Sequence, residues 1–209
     1  MKVTKYKHAC LVIENEGKAL VIDPGDQSTD FVVPKNVVAV VITHEHPDHL
    51  DTDKLQQIAS ENSDVVMLAH ADVASALTLA KTQDVTNGST VDVGPFHLEF
   101  FGEKHAQIHS SIPLVANIGV MVNDKLYYPG DSYTQPNKPV KFLALPLSGP
   151  WLKLGDAVDF LLVVNPERAF STHDVHLSEP AIKLTDFLVP MLTKNTTIQY
   201  FRATEPFEV

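Results

Sequence analysis

The sequence predicts an α/β fold in which two β-sheets pack face to face with helices on their outer surfaces. Three observations carry that expectation. Strand-like and helix-like segments follow one another in two successive rounds. Residues 37–43 are apolar almost throughout instead of alternating, the pattern of a strand covered on both faces. No repeat, low-complexity tract or Gly/Ser linker breaks the chain, so residues 1–209 read as one domain, long enough for a real core.

In order, residues 3–7, 9–14 and 18–23 are short β-rich runs, with Asn15-Glu16-Gly17 as a hairpin turn between the last two. After the apolar run 37–43, Asp53 with Gln56 three residues on is a capping-box variant that predicts a helix to about Ser60. Residues 64–69 read as a strand. Residues 71–80 read as a helix with Val73, Ala76, Leu77 and Ala80 on one face. In the second half, 96–103, 117–122 and 125–128 predict strands, Asn123-Asp124 turning between the last two, and 140–145 predicts another before the loop 146–150. Residues 156–164 predict a helix that stops before Pro166. A short strand, 169–172, precedes a final helix capped by Ser178, with Pro180 in its first turn. Leu184, Phe187, Leu188 and Met191 share a face of that helix, and Pro190 is expected to end or kink it.

Composition removes several classes. At 44% hydrophobic and 20% charged residues, the chain is not disordered. Its longest apolar run, Val37 to Ile42, is far short of the roughly 18 residues a membrane span needs. The basic N-terminus precedes only a short apolar stretch at 9–13, too short for a signal-peptide core, so the expected address is the cytoplasm. Cys10 is alone, so it forms neither an intrachain disulfide nor a thiolate metal site. A net charge of −10 argues against nucleic-acid or membrane partners. Ten histidines in so acidic a chain remain to be explained.

The informative stretch is Thr43-His44-Glu45-His46-Pro47-Asp48-His49, three histidines and an aspartate directly after a buried strand. Imidazole and carboxylate are ligands that zinc, manganese and iron accept. Held between a strand and a helix, His44 and His46 can chelate one ion while Asp48 and His49 face a second, with Pro47 stiffening the loop between them.

His-x-His-x-Asp-His after a strand resembles the signature of the metallo-β-lactamase superfamily of dinuclear metal hydrolases. Further candidates follow in the family's order. His105 follows the strand at 96–103, Asp131 stands in Gly130-Asp131, and His173 follows a short strand near the C-terminus. Val21-Ile22-Asp23-Pro24-Gly25 resembles the family's early strand and turn, and His8-Ala9 is similar to the lactonase- and phospholipase-like branch. The resemblance implies a four-layer αββα sandwich. It assigns His44, His46 and His105 to one divalent ion and Asp48, His49 and His173 to the other, with Asp131 bridging. It implies two ions, zinc first and manganese or iron as alternatives, and a bridging hydroxide as nucleophile that Asp48 orients as the catalytic carboxylate. The redox di-iron branch has glutamate where this chain has His46.

Rivals and helpers remain open at this point. His109 competes with His105 as ligand, and otherwise sits at the rim; His176 competes with His173. His8 and Asp23 are candidates for hydrogen bonds that support the ligands, Trp151 for a substrate wall, and Tyr133 for a donor to a substrate oxyanion. His70 and His97 are expected to be structural. The expected function is hydrolysis of a small-molecule lactone, ester or phosphodiester; an anionic substrate and a homo-oligomer are both compatible with the sequence. The competing expectations are a nuclease or β-lactam hydrolase, and a non-catalytic metal-binding or sensor domain on the same scaffold.

Overall fold

Alternation within the central strands decides the layering. In the computed structural model, which describes residues 1–77 and 81–209, the strands in chain order are β1 (Lys2–Lys5), β2 (Leu11–Asn15), β3 (Lys18–Ile22), β4 (Val37–Ile42), β5 (Val66–Ala69), β6 (Thr82–Asp84) and β7 (Thr90–Val93). They continue as β8 (Phe96–Phe101), β9 (Gly119–Val122), β10 (Leu126–Tyr128), β11 (Phe142–Pro146), β12 (Arg168–Thr172), β13 (Gln199–Phe201) and β14 (Phe207–Glu208). The helices are α1 (Thr52–Glu61), α2 (Ala71–Ala74), α3 (Leu154–Val164) and α4 (Glu179–Leu192). One sheet runs β14-β1-β2-β3-β4-β5-β6 and the other β13-β12-β11-β10-β9-β8-β7.

Leu11, Ile13, Leu20, Ile22 and Val41 face Leu98, Phe100, Val120 and Phe170 of the other sheet in a shared core. Their neighbours Val12, Val21, Val40 and Ile42 face outward onto Leu55 and Ile58 of α1. On the far side Leu143, Leu145 and Ala169 pack on Ala157, Leu161 and Val189 of α3 and α4. The order of layers is therefore helices, sheet, sheet, helices: the αββα sandwich. β4 is apolar on both faces because both faces are covered.

Several element ends differ from the sequence reading. The cap of α1 is Asp51, not Asp53: its carboxylate accepts from the backbone N–H groups of Asp53 and Lys54. The helix expected over 71–80 ends at Ala74, and residues 78–80 of that expectation lie outside the described ones. α4 runs two residues past Pro190, and its apolar face is turned around. Leu184, Phe187 and Met191 are exposed, while Thr185 and Val189 are buried, because Asp186 is held down by Arg202 and Tyr200. Of the edge strands, β6, β13 and β14 are two or three residues long, too short for alternation to show. The turns that follow β3, β4, β10 and β12 carry Asp23, His44, Asp131 and His173 to a single edge of the sandwich, where their side chains meet.

Candidate metal centre

The loop after β4 is anchored from the turn after β3. Asp23, fully buried with φ 48°, accepts from the Thr43 backbone N–H at 2.8 Å and from the Thr43 hydroxyl at 2.6 Å. Gly25 lies so close under the loop that an added Cβ would fall 1.9 Å from the Asp48 carbonyl carbon; only glycine fits there. The Asp26 N–H then donates to the Pro47 carbonyl at 2.8 Å. These contacts fix the segment that presents His44, His46, Asp48 and His49.

The histidines are fixed in tautomer as well as in place. His49 Nδ1 donates to Asp23 at 2.7 Å, His105 Nδ1 to the Ala106 carbonyl at 2.5 Å and His173 Nδ1 to the Ser148 carbonyl at 2.6 Å. His44 Nδ1 lies 3.0 Å from the Thr43 hydroxyl, whose own proton is on Asp23, so the ring nitrogen is the donor there too. All four rings thus turn their Nε2 atoms to one point, as metal-ligating imidazoles do.

Those Nε2 atoms converge on carboxylates and on one another. The Nε2 atoms of His44 and His105 are buried without a hydrogen-bond partner among the described residues. His49 Nε2 is 3.0 Å from His173 Nε2 and 3.2 Å from Asp131 Oδ1, while Asp131 Oδ2 is 3.1 Å from His173 Nε2 and 3.4 Å from His105 Nε2. Converging acceptors of this kind repel one another unless cations stand between them. Ligand atoms of His44, His46 and His105 form one group within 4.8 Å of one another; those of His8, Asp48, His49 and His173 form another, and His44, His49 and Asp131 join the two. Neutral imidazoles and carboxylates in two linked groups fit a pair of divalent ions.

The two groups are electrostatically unlike. Burial, reinforced by neighbouring imidazoles, holds His44 well below the ordinary histidine pKa and lowers His46. Burial also opposes charge on His49 and His173, but there the carboxylates win. Asp131 and Asp23 hold His49 well above its ordinary value, and Asp131 with Asp48 raises His173 to about 9. Against the effect of burial, hydrogen bonds from His173 and His8 keep Asp48 well below the usual carboxylate range; Asp131 is likewise held down by His49 and His173.

The remaining candidates fall around this centre. His8 is fully buried with φ 67°; its carbonyl accepts from the His173 N–H at 2.8 Å, and its Nε2 lies 2.9 Å from Asp48 Oδ2. Burial lowers its pKa to about 4, so at neutral pH the uncharged ring donates to Asp48. Trp151 Nε1 donates to Asp131 Oδ2 at 2.7 Å. His109 is exposed and bonded to Ser111, and His176 is exposed with its ring centroid 5.3 Å from that of His8; neither joins the two groups. The Tyr133 hydroxyl has no hydrogen-bond partner among the described residues, and its ring packs on Trp151 and Phe160. His70 caps α2, and His97 pairs with Asp92. Residues that the sequence did not single out are Thr43 and Asn117. The Asn117 amide spans the Pro129 carbonyl and the Asp131 N–H, setting the turn that aims Asp131.

Beside His173 a depression of about 300 Å³ is lined by Ser148, Gly149, Pro150 and His176. A larger one, about 420 Å³ and lined by His70, Thr86 and Lys104 among others, contains none of the converging ligands. No helix among the described residues is long and apolar enough to cross a membrane.

Comparison with known proteins gives the same picture. The family described as the beta-lactamase superfamily domain matches residues 2–173. Protein Rv0786c of Mycobacterium tuberculosis is 33% identical over 187 residues, 87% of each chain. Igni18, described as a metallo hydrolase of the archaeon Ignicoccus hospitalis, superposes with a TM-score of 0.72 at 18% identity, over 100% of this chain and 98% of that one. CmlA, a diiron β-hydroxylase from Streptomyces venezuelae, superposes over the whole chain with a TM-score of 0.70 at 14% identity; the chain spans 54% of that enzyme. At such identities the likeness is one of fold, and a fold shared with a diiron enzyme does not select the metal.

Proposed function

The chain belongs to the metallo-β-lactamase superfamily, and on that premise we propose that it is a dinuclear metal-dependent hydrolase of a small-molecule lactone, ester or phosphodiester. The observation that carries the reading is the convergence of the Nε2 atoms of His49, His105 and His173 on the carboxylates of Asp48 and Asp131. His44, His46 and His105 would hold one ion; Asp48, His49 and His173 the other; Asp131 would touch both. Two divalent ions there, zinc in this reading with manganese or iron also fitting, would supply hydroxide near neutral pH and polarise the oxygen of the scissile group.

The chain's own groups do the rest. Asp48 has 19% of its side chain exposed, against 4% for Asp131 and none for Asp23, so it is the carboxylate within reach of a substrate. Held at low pKa by His8 and His173, it accepts a hydrogen bond from the attacking water and passes the proton to the leaving group rather than storing it. The depression beside His173 has the size of a small-molecule site. The cations would also make the centre tolerant of an anionic substrate in an acidic protein.

Metal analysis of the purified protein is expected to give about two ions per chain, with hydrolysis lost in His46→Ala and Asp48→Ala. Full activity in both variants would end this reading.

A further inference from the structure

Trp151 is the only tryptophan in the chain, and it stands in the loop after β11. Its ring is 7% exposed, and its Nε1–H points inward to Asp131 Oδ2 at 2.7 Å. The ring lies edge-on between the two groups of ligands, with centroids 5.7 Å from His105 and 6.3 Å from His173. Tyr133 packs on it at 5.2 Å, and a Cβ on Gly149 would come within 2.9 Å of Nε1, so glycine at that position is what leaves space for the indole. Other close neighbours of the Asp131 carboxylate are His49, His105 and His173, each itself one of the converging ligands.

We infer that Trp151 is a positioning residue for the metal centre: its indole N–H holds the carboxylate of Asp131 in the orientation that lets one aspartate serve both groups of ligands. The chemistry suits the task. An indole N–H only donates and does not titrate, so it fixes the carboxylate without competing for the ions. A carboxylate shared between two sites must keep its plane, because a rotation that improves one contact spoils the other. Without the indole, the side chain of Asp131 would be oriented by the very imidazoles it has to share ions with. The backbone of Asp131 is already set by Asn117, so the indole controls what the backbone leaves free, the side-chain torsion.

The inference rests on the metal-centre reading, and its test separates the two. Zinc affinity is measured by competition with a chromophoric chelator in the wild type and in Trp151→Phe, which keeps an aromatic ring and deletes the donor. Loss of one supporting hydrogen bond of this kind weakens metal binding roughly 10–100-fold. That loss is expected here, with the thermal midpoint of the metal-free variant unchanged. A merely structural role would lower the midpoint instead. The second measurement needs no variant. Because the chain has a single tryptophan, its emission reports on this ring alone, and it is expected to change on zinc addition and to saturate at the same ratio of zinc to protein as uptake does. Wild-type affinity in Trp151→Phe, or emission that ignores zinc, overturns the inference and leaves the metal centre standing. A wild-type protein that takes up neither zinc nor manganese nor iron overturns both.

Discussion

The two groups of ligands differ in what they hold before any metal arrives. In the first, His44 and His46 are kept neutral by burial, and their lone pairs are free for an ion. In the second, His49 and His173 face Asp131, Asp23 and Asp48, and those carboxylates stabilise protons on the rings. The first group is three imidazoles without a carboxylate; the second is a network of carboxylates and imidazoles in which protons stand where the ion would. An ion entering the first group meets a prepared cavity. An ion entering the second must displace protons, and its binding is coupled to pH.

The harshest test removes what the groups share. Asp131→Ala is expected to weaken metal binding at both by more than the roughly 10–100-fold typical of a supporting residue, with hydrolysis lost; retention of one ion at wild-type affinity would show that the groups are independent. His8→Ala acts on one group only. It deletes the donor to Asp48 Oδ2 and is expected to cost roughly 10–100-fold in affinity at the second group, measured by chelator competition, while the first is unchanged.

Protons give a quieter distinction. His46→Ala leaves the second group to bind zinc, and Asp48→Ala leaves the first. Calorimetry in two buffers of different ionisation enthalpy is expected to show proton release at neutral pH mainly from His46→Ala, and weakening of that variant's binding as the pH falls from 9 towards 6. Equal proton release from both would erase the contrast. Stability has the opposite slope in the metal-free protein. A His173 pKa raised to about 9 contributes stability that is complete below the unfolded value near 6.5 and is lost as the pH rises through about 9. Thermal midpoints in chelator should therefore fall over that interval, and those in excess zinc should not.

The smallest effect is a control. Asp51→Ala uncaps α1 and should cost about 1 kcal/mol, or roughly 2–4 °C in midpoint, without altering metal affinity at either group.

The sequence pointed to the converging side chains more readily than to their supports. Four of them fall in one short stretch of the loop after β4, and the others stand just beyond predicted strands, so local pattern was enough to single them out. The sandwich was legible too, because β4 reads as covered on both faces. What stayed hidden depends on distance in the chain. Nothing local links Trp151 with Asp131, His8 with Asp48, or Asn117 with the turn before Asp131, since each pairing exists only once distant strands have paired within a sheet. That the apolar face of α4 points outward was not legible for a similar reason. Periodicity marks the apolar stripe, but the ion pair of Asp186 with Arg202 fixes which side of the helix meets the sheet.

Each group of ligands draws on both halves of the chain: His44 and His46 meet His105, while Asp48 and His49 meet His173. The opposite end of the sandwich is fastened otherwise, by the pairing of β1 with β14 and the Met1 amino group on the Val209 carbonyl at 2.9 Å. Bound ions would therefore act mechanically as well as chemically, as rivets across a seam. Stripping them should loosen the sandwich from the ligand edge inward, with amide exchange quickening first at the strand ends beside the histidines and last beside the paired termini.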